Sequence, residues 1–251
     1  MNKLYFRTPQ IRNMKSLISC CLLFICLGSS SQTIDVDKTD KRSAAVNNLF
    51  TNSGTPYIDA KFVRLVSGSP FFNEKMMRGI IISSDGTEYR NIIIRLNLFE
   101  SQVNFLNEKK EELIVAIPLR QVTLLDTVNN KNYNFIFSDY IATTGKPEKG
   151  FYQILQKGQA GLYAQHKKVL KETRPFNSAT YEQSIETYST YFVLLGDQWK
   201  KINKIKELPS VLSDKKNEVQ EFINTKGLSG YKQGDVEAVI LYYNGLFESK
   251  Q

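Results

Sequence analysis

The stretch RGIIISSDGTEYRNIIIRLNL, residues 78–98, decides the fold of this chain. Ile92, Ile94, Leu96 and Leu98 alternate with Ile93, Arg95 and Asn97, which is the period of a strand with one buried face and one mostly wet face. Asp85-Gly86 between two β-branched runs predicts a hairpin, because its turn needs a residue at positive φ. Working outward, polar breaks at Glu100-Ser101, at 108–112 and at Asn129-Asn130 separate further alternating runs. These are Val103 and Phe105; Leu113, Val115, Ile117 and Leu119; Val122 and Leu124; and Tyr133, Phe135 and Phe137. Residues 76–137 therefore read as an antiparallel β-meander. Pro118 removes a ladder donor, so its strand should end there, lie at an edge or carry a bulge.

Towards the N-terminus, Arg12 and Lys15 precede an apolar run from 17 to 27, followed by Gly28-Ser29-Ser30-Ser31. This is the anatomy of a secretory signal peptide, residues 1–31, with Met14 as the expected true start. Cys20, Cys21 and Cys26 all fall inside it, so the mature chain is expected to lack disulfides, thiol catalysis and cysteine metal sites. Leu17-Ile18-Ser19-Cys20 offers a lipoprotein box, but it leaves almost no apolar run before the cut, and simple cleavage is preferred. Removing four cations and no anion takes the formal charge from +8 to +4. That balance is mild, and nucleic-acid binders concentrate far more basic charge on one face. Residues 32–55 are polar and read as a linker. Residues 56–66 read as a first strand, turned by Ser67-Gly68-Ser69-Pro70 before the ring pair Phe71-Phe72, one ring expected in the core and the other covering a sheet end.

Gly145, Pro147 and Gly150 among charges mark a boundary after a β lobe of 56–145. Beyond it, residues 150–251 read as a smaller lobe of two hairpins and two to three helices. Phe151-Tyr152-Gln153-Ile154-Leu155 turns through Gly158 into Leu162 and Tyr163, and Tyr191-Phe192-Val193-Leu194-Leu195 turns through Gly196-Asp197 into Trp199. The polar residues between them, 171–189, are expected to be mostly loop. Ser213 is placed to cap a helix through Val219, Phe222 and Ile223, and Gly227 to end it. Asp235 opens a last helix whose Val236, Val239, Ile240, Tyr243 and Leu246 form one apolar stripe.

The Asp85-Gly86 hairpin, Arg95-Leu96-Asn97-Leu98, Gly150-Phe151-Tyr152-Gln153-Ile154-Leu155, Tyr191-Phe192-Val193-Leu194 and the ending Tyr242-Tyr243-Asn244 resemble an uncharacterised exported protein family of Bacteroidetes. These motifs specify turns, core faces and helix caps, and no activity travels with them. The resemblance implies a cell-envelope address in a diderm bacterium.

Chemistry is sparse. The single histidine, His166, stands between Gln165 and two lysines on a polar run and reads as a surface residue. Nucleophile-elbow, phosphate-loop and dinucleotide motifs are missing from the sequence. Glu182, Glu186 and Asp197 are conceivable glycosidase acids, although acids are common and the signal has little specificity. Tyr152, Tyr163, Tyr191 and Trp199 offer flat faces for sugar rings, against the more ordinary reading that they hold the hairpins together. Lys200, Lys201 and Lys204, continued by Lys206, Lys215 and Lys216, form the densest basic cluster, against the reading of a solvated face.

These readings define an α+β fold: an antiparallel β lobe, open or barrel-like, then hairpins and helices. The expected function is a non-catalytic exported envelope protein, periplasmic, outer-membrane associated or extracellular. It uses no cofactor, binds an envelope protein or polysaccharide, does not bind nucleic acid, and is membrane-peripheral at most. The alternatives are a carboxylate-dependent glycan hydrolase, or a carrier holding an apolar ligand among Ile92, Ile94, Leu96 and Phe105.

Overall fold

The computed structural model describes residues 33–35, 50–53, 63–174, 176 and 181–248; the segment read as an export signal, with its three cysteines, lies outside them. The fold is α+β. Its strands are β1 (Thr33–Asp35), β2 (Phe50–Ser53), β3 (Val63–Ser67), β4 (Met77–Ser83), β5 (Glu88–Asn97), β6 (Gln102–Leu106), β7 (Glu112–Val115), β8 (Leu119–Asp126), β9 (Lys131–Phe137), β10 (Phe151–Gln156), β11 (Ala160–Thr173), β12 (Tyr181–Leu195) and β13 (Gln198–Ile202). Helices α1 (Leu208–Val211), α2 (Lys216–Thr225) and α3 (Gln233–Glu248) follow. All thirteen strands among the described residues join one open mixed sheet in the order β13-β12-β11-β10-β9-β8-β4-β5-β6-β7-β2, with β1 added to β5 and β3 to β12. Within 32–55, read as a linker, Thr33–Asp35 and Phe50–Ser53 are strands; of the strand expected over 56–66, residues 56–62 lie outside the described ones.

The alternating runs become strands at the expected places, and the Asp85-Gly86 turn joins β4 to β5. Gly86 takes φ +88°, its N–H donates to Ser83 O at 3.1 Å, and Asp85 Oδ1 accepts the Thr87 N–H at 2.9 Å. This is a type I turn closed by a left-handed glycine. Pro118 lies between β7 and β8, where it ends the ladder.

The meander reading needs one correction. β8 does not lie beside β7; it returns to pair with β4. Four strand spacings of about 4.8 Å separate β7 from β8 in a flat sheet, roughly 19 Å. Residues 116–118 span at most about 14 Å between them. The β4–β8 part must therefore curl, and the curl encloses a core of Ile81, Ile92, Ile94, Leu96, Val103, Phe105, Val122, Leu124 and Phe135.

Residues paired across strands share a face. Ile81 pairs with Val122, Val122 with Phe135, Phe135 with Gln153, Gln153 with Ala164, Ala164 with Tyr191 and Tyr191 with Ile202. One face of one sheet thus carries both cores. The first is closed by the curl. The second, built on Ala160, Leu162, Ala164, Tyr191, Val193 and Ile202, is closed by the helices through Leu208, Leu212, Val219, Ile223, Val236, Val239, Ile240 and Tyr243.

Residues 171–189, expected to be mostly loop, are largely strand. β11 and β12 pair without interruption from Ala160↔Leu195 to Thr173↔Glu182. Cross-strand pairing and β-prone threonines and tyrosines sustain strands whose faces are too polar to show alternation. Ser213 also departs from expectation. It sits in a single 3-10 turn, Ser213–Lys215, so α2 starts at Lys216 without a side-chain cap. Gly227 behaves as expected: it takes φ +62° and the Leu228 N–H reaches Ile223 O at 3.0 Å, a helix-ending motif.

Asn244 locks α3 to the sheet. Its buried side chain accepts the Ala160 N–H at 2.8 Å and donates to Ala160 O at 3.0 Å. Asn244→Ala strands both backbone groups and is expected to lower stability by about 2 kcal/mol, read as a shifted denaturation midpoint at unchanged m-value.

Candidate functional site

The rings singled out in the sequence are divided between the two sides of the sheet. Tyr152, Tyr163 and Trp199 pack with Phe192 on the face opposite the helices. Phe192 stacks on Trp199 at 5.0 Å and 11°, Tyr152 meets both edge-on at 5.6 and 5.5 Å, and Tyr163 approaches Trp199 at 5.1 Å. Loop residues close over them: Thr143 Oγ1 and the Thr144 N–H donate to Asp197 O at 2.7 and 3.0 Å. Gly145 lies so near Trp199 that a Cβ there would stand 2.9 Å from the indole's own. Tyr152 is fully buried, its hydroxyl donates to Glu148 O at 2.9 Å, and burial, aided by Glu148, pushes its pKa up to about 12. Tyr191 is buried on the helix face beside Tyr231. Tyr152 and Tyr191 therefore have no open face for a sugar.

The lysines divide for the same reason. Lys200 pairs with Val193 and Lys201 with Phe192, so alternation sends their side chains to opposite faces of an edge strand. With Lys204 they are exposed, and they do not make one stripe. Among the acids, Glu186 and Asp197 stand about 30 Å apart along β12 at 3.3 Å per residue, far outside the reach of a glycosidase pair. Glu186 pairs with Lys171 at 2.6 Å; that bond and one from Tyr188 hold its carboxyl below the usual range, the opposite of an acid catalyst. Ile92, Ile94, Leu96 and Phe105, the walls of the imagined carrier, are packed core.

His166 corrects the surface reading. It continues the Ala160, Leu162, Ala164 row onto the covered face and is largely buried against Phe72, ring to ring at 5.8 Å. Phe72 also packs edge-on against Tyr133 and Phe135, while its neighbour Phe71 lies under the Arg95 guanidinium at 3.6 Å. Nδ1 of His166 lies 2.8 Å from Ser189 Oγ and Nε2 2.8 Å from Gln153 Oε1. The Gln153 carbonyl requires Nε2–H, so Nδ1 accepts from Ser189. Desolvation, then the charge of Lys168, lowers its pKa to about 4. At neutral pH the ring is uncharged and satisfied at both nitrogens, a polar row separating two apolar cores.

One cavity adjoins this row at His166, and a larger one lies beside it. The larger, about 300 Å³, opens where the curled sheet ends. Val103, Val115, Ile117, Leu119, Phe137 and Phe151 form its apolar walls, with Gln102, Asp139, Tyr140 and Lys149 among its polar lining. Phe137 and Phe151 are paired across β9 and β10, with rings 5.2 Å apart. The smaller cavity, about 160 Å³, fills the gap left where β10 stops at Phe151 and β11 runs on. It is lined by Glu148, Lys149, Gly150, Gln165, His166, Lys167 and Lys168, with Leu98 and Phe99 from the turn after β5. Ser101, Lys149 and Phe151 line both. The rows that build these cavities come from strand ends and turns far apart in sequence, and only the run Lys167-Lys168 beside a histidine hinted at them.

Beyond the helices, the outer half of β11–β12 continues with β3 on its edge. It exposes Leu65, Leu170, Tyr181 and Tyr188, with Phe176 at the tip 95% exposed. Leu65 pairs with Gln183 and Leu170 with Ile185, so Leu65, Leu170 and Tyr181 stand on the extension of the core face, where nothing covers them among the described residues, whereas Tyr188, paired with Lys167, lies on the opposite face.

Comparison with protein-family models, curated proteins and solved structures finds no match. Among the described residues, no helix is long and apolar enough to cross a membrane, and no group of His, Cys, Asp and Glu is arranged to hold a metal ion.

Proposed function

We propose that this chain is a non-catalytic exported protein of the cell envelope that binds another protein or an envelope polymer. The exposed face of the β3–β12–β11 extension supports this reading. Leu65, Leu170 and Tyr181 stand exposed there, Arg174 sits 5.5 Å over the Tyr181 ring, and Glu172, bonded to Gln183 at 2.9 Å, flanks them. An apolar patch rimmed by charges on an otherwise covered sheet face is the usual form of an interaction surface.

The test is to express the full chain with a C-terminal affinity handle in a diderm host, crosslink intact cells and compare what is recovered with wild type and with L65S/L170S/Y181S. Three truncated anchors at about 1–2 kcal/mol each should reduce recovery of a specific envelope partner by at least about tenfold, with the thermal unfolding midpoint little changed. Equal recovery by the folded triple variant, or retention of the protein in the cytoplasm, would overturn the reading.

A further inference from the structure

The two adjoining cavities have complementary chemistry. The walls of the larger are aromatic and aliphatic. Its one acid, Asp139, accepts from Ser138 Oγ at 3.0 Å and disfavours a negative charge on that side. The smaller is lined by three lysines and one glutamate. Glu148 is engaged by Lys167 at 2.8 Å, which leaves Lys149 and Lys168 as a local excess of positive charge. Lys168 is half-buried and donates to Thr187 Oγ1 at 2.9 Å. Burial lowers its pKa more than the field of Glu74 raises it, the condition of a cation short of a counter-ion. Lys149 lines both spaces and stands at their junction.

We propose that the paired cavities bind a small amphipathic carboxylate, with its apolar body between Phe137, Phe151, Val103 and Leu119 and its carboxylate between Lys149 and Lys168. A space of about 300 Å³ is at the lower end for ligand pockets, which limits the body to roughly a phenylalkyl group. The carboxylate chooses the second cavity because its lysines and the Gln165 amide can replace water there. This site does not depend on the role of the β3–β12–β11 patch.

Isothermal titration of the full folded chain with 3-phenylpropionate and 4-phenylbutyrate, against 3-phenyl-1-propanol and 4-phenyl-1-butanol, tests the assignment. The acids should bind at least about tenfold more tightly than the matched alcohols, one charge-assisted contact's worth. Lys149→Gln, at an exposed position, should remove that preference, and Ile117→Trp, which fills the larger cavity, should abolish binding of both classes. Lys109→Gln on a distant turn and the L65S/L170S/Y181S variant should bind as wild type does. No binding of either acid, equal binding of acids and alcohols, or equal losses from Lys149→Gln and Lys109→Gln would each overturn the proposal.

Discussion

Tyr152→Ala is expected to lower the stability of the folded chain by about 4 kcal/mol, the range for deleting a large buried ring. Tyr152 is completely buried, lies edge-on to Phe192 and Trp199 and also holds the loop at Glu148 through its hydroxyl. Truncation opens a void between the β10–β13 hairpins and the loop above them, and the rigid indole of Trp199 cannot refill it. Tyr152→Phe keeps the ring and loses only the bond to Glu148 O, so it should cost about 1 kcal/mol. Chemical denaturation with tryptophan fluorescence follows both, since Trp199 is the single tryptophan and sits in the cluster. A loss of less than about 1 kcal/mol for Tyr152→Ala would mean the ring is not the packing element described.

Acidification between pH 7 and 4 is expected to cost about 3 kcal/mol through His166 alone. An unfolded histidine takes up its proton near pH 6.5, whereas the folded ring does so only near 4 because it is desolvated and beside Lys168. Between those values the unfolded chain binds the extra proton, so its stabilising difference is fully present above about 6.5 and is lost as pH falls towards 4, at up to about 1.4 kcal/mol per unit. Protonation also turns Nδ1 from acceptor to donor, so the Ser189 hydroxyl must rotate from donor to acceptor. His166→Gln should flatten the slope between pH 5 and 6.5 relative to wild type. Asp85, Asp126 and Glu218, held below the usual carboxylate range by hydrogen bonds, act at lower pH and leave that window clear. Parallel slopes in the two proteins would show that His166 is not the buried group.

Much of the fold is legible in single residues. Ile92, Ile94 and Leu96 name their own buried face, Gly86 the turn between β4 and β5, Gly227 the end of α2, and Val236 through Tyr243 the stripe of α3. Each depends on a period or a backbone preference that a few neighbouring residues express. The outer half of β11–β12 was not legible, because it is held by cross-strand pairing on faces too polar to alternate. His166 was misread for a related reason: its partners Gln153 and Ser189 are 13 and 23 residues away, and its burial comes from Phe72.

The chain's sequence by itself determined the strand-forming runs, the turns and the helices, because local sterics and hydrophobic period act within a few residues. Tertiary structure alone decided that β8 returns to β4, that one sheet face carries two cores, that Lys200 and Lys201 part company, and that Phe151 and Lys149 border two cavities. Those outcomes depend on register and curl, which bring together side chains whose positions no local preference constrains.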